Sequence, residues 1–243
     1  IIATIVMVPS VLSVVMKNQY AHVAPGEVVL GETDFKVPYG GSSFGEDGIF
    51  YISYYDSNIG MHSISYTKIE KPDNYSSIYQ SDLCGWVGQL GYNKNSIYAS
   101  NVYRAKANER LEAAGFYATE AGTRYEVYAV SRYTGPDSLS KGRMVASGSF
   151  ENAGYYTVPF DHPLNLTDNE EFAIVVHLII PEGTKPLAVE FASSDFTQTV
   201  DLKDGQGYIS PDGLTWERVE STQKCNICLK AYTNRVNHDK EWN

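Results

Sequence analysis

Thiols and imidazoles are the side chains best suited to covalent or metal chemistry, and their spacing here limits what they can do. The cysteines are Cys84, Cys225 and Cys228. The last two form a lone Cys-x-x-Cys, but a redox dithiol needs its first thiol at a helix N-terminus and zinc needs two further ligands. The run CNIC reads instead as part of a strand, where positions three apart point to opposite faces. Structural thiols are expected, with a disulfide or a metal or redox pair as the alternatives. The five histidines, His22, His62, His162, His177 and His238, never fall into an H-x-x-x-H or H-E-x-x-H spacing. His177 sits in an apolar run and reads as a satisfied core or sheet-surface residue, and His162, before Pro163, as a turn residue. A Gly-rich loop ending in G-K-S/T is absent. No catalytic residue and no metal ligand is assigned.

The stretch GYISPDGLTWE, residues 207–217, is the best candidate for ligand contact. Pro211-Asp212-Gly213 is a turn signal, so Tyr208 and Trp216 flank a hairpin and come within reach across it. Two rings side by side can stack on sugar C–H faces, while Asp212 accepts hydrogen bonds from hydroxyls. Tyr208, Asp212 and Trp216 are therefore the expected carbohydrate-binding residues, with a packed Trp216 as the structural alternative. The loop DLKDGQG offers Asp201 and Asp204 as oxygen ligands for calcium, although it lacks an EF-hand pattern. No cofactor is expected beyond that calcium option. Asn74-Tyr75-Ser76 and Asn165-Leu166-Thr167 fit the N-glycosylation acceptor pattern, which matters only in a compartment that glycosylates.

The elements that must position these residues are strands. The chain has 243 residues, 43% of them hydrophobic, enough for a sizeable core. Its 19 Tyr and 20 Gly favour pleated, half-buried surfaces and tight turns. A formal charge of −10 repels phosphate backbones, so nucleic acid is a poor partner and neutral glycans are favoured over acidic ones. Nine runs read as strands: 49–55, 97–105, 109–118, 124–132, 143–150, 154–160, 171–180, 187–193 and 226–233. In RYEVYAVSR the alternation puts Tyr125, Val127 and Ala129 on one face and Glu126, Tyr128 and Val130 on the other. FAIVVHLII is apolar almost throughout, as suits a mid-sheet strand covered on both faces. Residues 70–82, with Pro72, Asp73 and Asn74, read as a linker. The uncharged residues 1–16 fit either a truncated secretory signal or anchor, or a buried segment of an incomplete domain. As a span they would reach only roughly 24 Å against an apolar thickness of roughly 30 Å.

The run FGEDGIFYISYYD, Phe44 to Asp56, resembles the closing strands of papain-like cysteine peptidases. DLCGWVGQLGY (82–92), ANERLEAAGFYA, RYEVYAV, GYYTVPFDHPLNLTDNEEFAIVVHL, GYISPDGLTWE and NICLKAYT together resemble the lectin-like β-sandwich module that follows the peptidase domain in a group of bacterial and archaeal papain-like enzymes. The peptidase part departs from that family. Laying Phe44-Gly45-Glu46 on its W-G-E puts Pro38 where the catalytic Asn belongs, and proline has no side-chain donor or acceptor to orient an imidazole. His22 precedes Pro38 by sixteen positions but lacks the apolar strand that follows the family's His. All three cysteines come after His22, whereas the nucleophile of that family precedes its His.

The expected fold is therefore mostly β: an antiparallel, lectin-like or jelly-roll-like β-sandwich over 83–234, preceded at 1–69 by an apolar segment and a β-rich remnant of a papain-like domain, and followed by a polar tail, 235–243. The resemblance implies a non-catalytic, extracellular or cell-surface module that binds carbohydrate or attaches to a surface polysaccharide. It also implies intramolecular contact with a peptidase domain in full-length relatives. Two alternatives stand beside it: the C-terminal fragment of an active papain-like endopeptidase whose Cys lies upstream of residue 1, and a purely structural sandwich.

Overall fold

Two compact units, Ile1–Glu70 and Lys71–Asn243, make up the chain. The computed structural model describes the backbone of residues 27–29, 45–46 and 49–53, and residues 74–192 and 200–236 in full. Residues 1–16, His22, Pro38, His62, His238 and the end of the polar tail lie outside the described residues. In the first unit β1 (Glu27–Val29) and β2 (Gly45–Glu46) both pair antiparallel with β3 (Ile49–Ser53), which lies inside the run IFYISYY.

The second unit is the expected antiparallel β-sandwich. Its larger sheet holds β6 (Ser96–Arg104), β8 (Arg124–Val130), β9 (Arg143–Ser149), β11 (Glu171–Ile179), β13 (Gly207–Ser210) and β14 (Glu217–Arg218), in the order β14-β13-β6-β11-β8-β9. The second sheet holds β4 (Ser77–Tyr79), β7 (Glu109–Ala118), β10 (Gly154–Leu166) and β16 (Leu229–Arg235), in the order β10-β7-β16-β4. A small third sheet joins β12 (Leu187–Glu190) to β5 (Gly88–Leu90) and β15 (Asn226–Ile227). Among the described residues no helix is long and apolar enough to cross a membrane.

Alternation explains the layers. Ile97, Ala99, Val127, Ala129, Phe172, Ile174 and Val176 from the larger sheet share one core with Leu111, Ala114, Phe116, Val158, Leu229 and Ala231 from the second. Strand β11 is mid-sheet, and its other face also carries buried apolar residues, Ala173 and Val175. That second cluster is covered by Tyr133 and, through Leu139, by a 3₁₀ turn, Pro136–Lys141.

Polar side chains tie the layers together. The last strand, read as continuous over 226–233, breaks at Cys228. The freed carbonyls of Ile227 and Leu229 both accept from Asn101 Nδ2, at 3.2 and 2.8 Å, and Leu229 O also accepts from the Tyr103 hydroxyl at 2.6 Å. A buried carbonyl left bare would cost on the order of 1–3 kcal/mol, so this amide replaces what the strand break takes away.

The polar stretch read as a connection ends short of its expected boundary at residue 82. Within it Ser77–Tyr79 form β4, paired with Ala231–Thr233 of β16. Three residues among turn formers give too short a period to register as a strand, and the pairing is made instead by a buried carboxylate. Glu109, fully buried, accepts from Ser77 Oγ (3.0 Å), the Tyr79 hydroxyl (2.5 Å) and Thr233 Oγ1 (2.9 Å). Three hydroxyl donors suit an acceptor-only carboxylate. Burial, then the hydrogen bond to Glu109, push the Tyr79 phenol well above its ordinary range. Tyr79→Phe should lower stability by about 1.5–3 kcal/mol, the worth of a hydrogen bond to a charged group. In urea unfolding the midpoint is expected to fall with the slope unchanged; an unchanged midpoint would show that Glu109 does not hold β4.

Candidate functional site

Register brings together residues that are far apart in sequence. Ser210 pairs with Tyr98, Tyr98 with His177 and His177 with Glu126, which forms one transverse row on the outer face of the larger sheet. The neighbouring row runs Tyr208, Ser100, Val175, Tyr128 on the same face. The Tyr98 and His177 rings stack at 3.9 Å with 3° between planes. His177 Nδ1 lies 2.9 Å from Glu126 Oε2, and the Tyr128 hydroxyl donates to the same oxygen at 2.9 Å. With the carboxylate accepting, Nδ1 carries the proton of that contact.

The electrostatics follow from these contacts. The hydrogen bond from His177 holds the Glu126 carboxyl below its ordinary range, and the bond from Tyr128 adds to this. Burial, then the hydrogen bond to Glu126, push the Tyr128 phenol up to about 12. Burial followed by the charges of Glu126 and Asp212 raises the Tyr98 phenol, so both carboxylates act on the same ring.

The hairpin at 207–217 reaches this row from the side. Tyr208 pairs with Arg218, which places Tyr208 and Trp216 diagonally in one apolar cluster. Tyr208 is only 7% exposed, so it presents no ring face for stacking; its hydroxyl takes the Gln206 amide at 3.2 Å. The turn signal put Tyr208 near the tip, but the strand it belongs to runs under the 3₁₀ turn, and packing claims the ring. Trp216 is half-buried, and its indole N–H donates to Ser140 Oγ at 3.1 Å. Ser140 Oγ in turn donates to Gly213 O at 2.7 Å, which pins the hairpin to the 3₁₀ turn.

Asp212 is exposed at the tip. Its Oδ1 accepts from Leu214 N, Thr215 N and Ser210 Oγ, each at 2.9 Å, and the two backbone bonds come first among the causes that hold its carboxyl below the ordinary range. Asp212 thus builds the turn it was expected to decorate. Gly213 has φ +73°, and a Cβ there would stand 3.2 Å from the Tyr98 ring, so the tip can rest on Tyr98 only as glycine. The structure therefore gathers Tyr98, Glu126, Tyr128 and His177 around Asp212 and Trp216, and withdraws Tyr208. Alternation in RYEVYAV already set Glu126 and Tyr128 on one face, but the strand order that adds Tyr98 and His177 is not written locally.

The acidic loop behaves differently from its composition. Asp201 Oδ1 caps Lys203 N at 2.8 Å, and burial followed by the charge of Asp201 raises Asp204. Other oxygens converge beside it. A Cβ on Gly205 would lie 2.8 Å from Glu220 Oε1 and 2.9 Å from Asn226 Oδ1, and one on Gly207 would lie 3.1 Å from both Asn101 Oδ1 and Glu220 Oε1. Asn101 Oδ1 and Asn226 Oδ1 are buried acceptors with no hydrogen-bond partner. Among the described residues no group of three or more His, Cys, Asp or Glu is arranged to hold a metal ion.

All three thiols are free. Burial, then the charge of Glu190, raise that of Cys84; burial takes Cys225 up to about 12 and Cys228 well above its ordinary range. A reactive thiolate needs the opposite environment.

The family model of the lectin-like domain matches residues 78–233. Among solved structures, the chain is similar to the clostridial cysteine protease Cwp84 after propeptide cleavage, at 24% identity and a TM-score of 0.63, over 78% of this chain and 48% of that one. It is also similar to a structure of the cysteine protease and lectin-like domains of Cwp84, a surface layer associated protein of Clostridium difficile, at 22% identity and a TM-score of 0.61, over 78% of this chain and 43% of that one. The chain thus spans less than half the length of either. At these identities the likeness is one of fold. No curated protein matches the chain.

The Glu126–His177 contact has a pH signature. A carboxyl whose folded pKa is depressed contributes stability that is complete above its unfolded value, about 4.3, and is lost as the pH falls through the folded one. Glu126→Gln should therefore lower stability most in the neutral range and flatten its loss between about pH 5 and pH 3, so that the two proteins converge in acid. Parallel curves for the two proteins across the acid range would show that the pair carries no such linkage.

Proposed function

The chain belongs to the lectin-like domain family, and from that membership we propose that it is a non-catalytic, extracellular or cell-surface module that binds carbohydrate on the outer face of its larger sheet. The observation that carries this reading is the row Tyr98–His177–Glu126, with Tyr128, Asp212 and Trp216 at its rim. The half-buried rings of Tyr128 and Trp216 stand beside carboxylates able to accept from hydroxyls, the pairing of groups that neutral sugars require. Glu126 and Asp212 disfavour acidic sugars at this end of the sheet.

Calcium belongs to the same proposal. Asn101 Oδ1 and Asn226 Oδ1 are oxygen acceptors without a partner, the donor type that calcium takes, beside Glu220, whose oxygens already accept from Gly207 N and Arg218. A second reading, that the chain is the C-terminal part of a longer cysteine peptidase, is supported by the likeness to Cwp84 structures of more than twice the matched length. Under either reading the nucleophile is not among Cys84, Cys225 and Cys228, whose surroundings oppose the thiolate.

The test is a glycan array with the full chain, run with and without calcium. Binding to neutral glycans is expected, weakened at least tenfold by His177→Ala and by Glu126→Gln in variants that remain fully folded at the assay temperature and pH. An array without binding in both conditions, or binding indifferent to both substitutions, would sink the assignment. Separately, the purified chain should hydrolyse no peptide and react with no epoxide inhibitor of cysteine peptidases at stoichiometric yield. Rapid labelling of Cys84 coupled to turnover would overturn the non-catalytic reading.

A further inference from the structure

A cleft of about 660 Å³ opens at the far end of β8, where the chain leaves the sheet for the 3₁₀ turn. Three cations line it, Arg132, Lys141 and Arg143, together with the polar residues Ser131, Thr134 and Asn165. Its lining contains no carboxylate and no aromatic ring. Among the described residues none of the three cations forms an ion pair. In a chain of net charge −10, three cations converging on one concavity are the reverse of the average surface, even with the Glu170 carboxylate beside Arg132.

The backbone builds this concavity in two places. On one side Arg132 has φ +53°, a left-handed conformation that glycine or asparagine adopts at lower cost. The Glu170 carboxylate, which lies outside the lining, fixes that conformation by accepting Arg132 N at 3.0 Å. On the other side β10 slips register against β7 between Pro159 and Leu164, where Pro159 faces Ala113 and Leu164 already faces Leu111. The extra residues turn Pro163, Leu164 and Asn165 into a wall. A strained arginine at the mouth and a bulged wall are both features that concentrate at binding sites.

We propose that this cleft binds anionic groups carried along a polysaccharide, phosphodiester or carboxylate, at a site separate from the neutral-sugar face. Three cations spread through an open cleft of this size suit successive charges on a chain better than a single small anion. Hydroxyl and amide side chains beside them suit sugar, and the absence of a ring in the lining removes the stacking platform that single-stranded nucleic acid uses. The overall charge of −10 makes the attraction local and salt-sensitive.

The test is affinity electrophoresis of the full chain through gels containing polyglycerol phosphate, polygalacturonate or a neutral glycan that the chain binds, at low and at physiological salt. Retardation by one or both polyanions is expected, weaker at higher salt, and the polymer that retards identifies the anionic group. R132Q, K141Q and R143Q combined should weaken that retardation at least tenfold, leaving neutral-glycan binding and the melting temperature as in the parent, while K141R with R143K keeps it. Each single charge removal, measured beside the triple variant, should give a partial loss. The proposal is overturned if neither polyanion retards the chain, if retardation is the same in the triple variant, or if single-stranded DNA is bound more strongly than both. Because neutral-glycan binding is read in the same gels, failure of one site is distinguishable from failure of the other.

Discussion

Strand β11 must be covered on both faces, and most of the second unit's design answers that requirement. Ala173, Val175 and Val176 are buried, as are Phe172, Ile174 and Leu178. One face is met by the second sheet. The other cannot be met by a sheet without a third layer, so the chain covers it with a 3₁₀ turn and a hairpin that are locked together through Ser140. This cover stops at Val175. The next outward position on β11 is His177, where an apolar residue would face water, and its imidazole is satisfied by Glu126 on one side and Tyr98 on the other. The candidate site is thus the part of the sheet face that the cover leaves open.

Buried polar groups set the register of the parts around that strand. Asn101, Tyr103 and Glu109 each bond to chain more than a hundred residues away, so slipping a sheet by one residue would strand several donors and acceptors at once. At the edge the two N–H groups of the Asn226 amide are shared among Glu190 Oε1 and the carbonyls of Ser81 and Asp201, of which Ser81 is likewise more than a hundred residues away. Lys230 and Asp82 form an ion pair in which the Asp82 side chain is fully buried, and burial raises the Asp82 carboxyl while Lys230 opposes the shift. Such a pair contributes little net stability, but breaking it by removing one partner leaves a buried charge. Its effect here is to hold the stretch before β5 against β16.

What the sequence revealed divides by range. All nine expected strands are present in whole or part, and the mid-sheet place of β11 follows from its unbroken apolar run, because these are properties of single segments. The short strands β4 and β5 carry no such period. Their pairing depends on Glu109 and on β12, which are distant in sequence. Tyr208 was legible as part of a hairpin but not as buried, since its burial comes from Tyr133 and Leu139, contributed by a loop some seventy residues earlier. His177 was legible as a sheet-surface histidine, yet its partners could not be named, because the order β13-β6-β11-β8 joins strands that are not consecutive.

The same geometry separates charge along one strand. Glu126 near the start of β8 and Arg132 just beyond its end are six residues apart, about 20 Å at 3.3 Å per residue. At the Glu126 end the hairpin adds Asp212; at the Arg132 end the turn and β9 add Lys141 and Arg143. Debye screening at physiological salt extends about 8 Å, so Glu126 and Arg132 are screened from each other, whereas the bond from Ser140 to Gly213 keeps Asp212 close to Lys141. A net charge of −10 therefore describes how the molecule repels at a distance, whereas contact is decided by which end of β8 a ligand reaches.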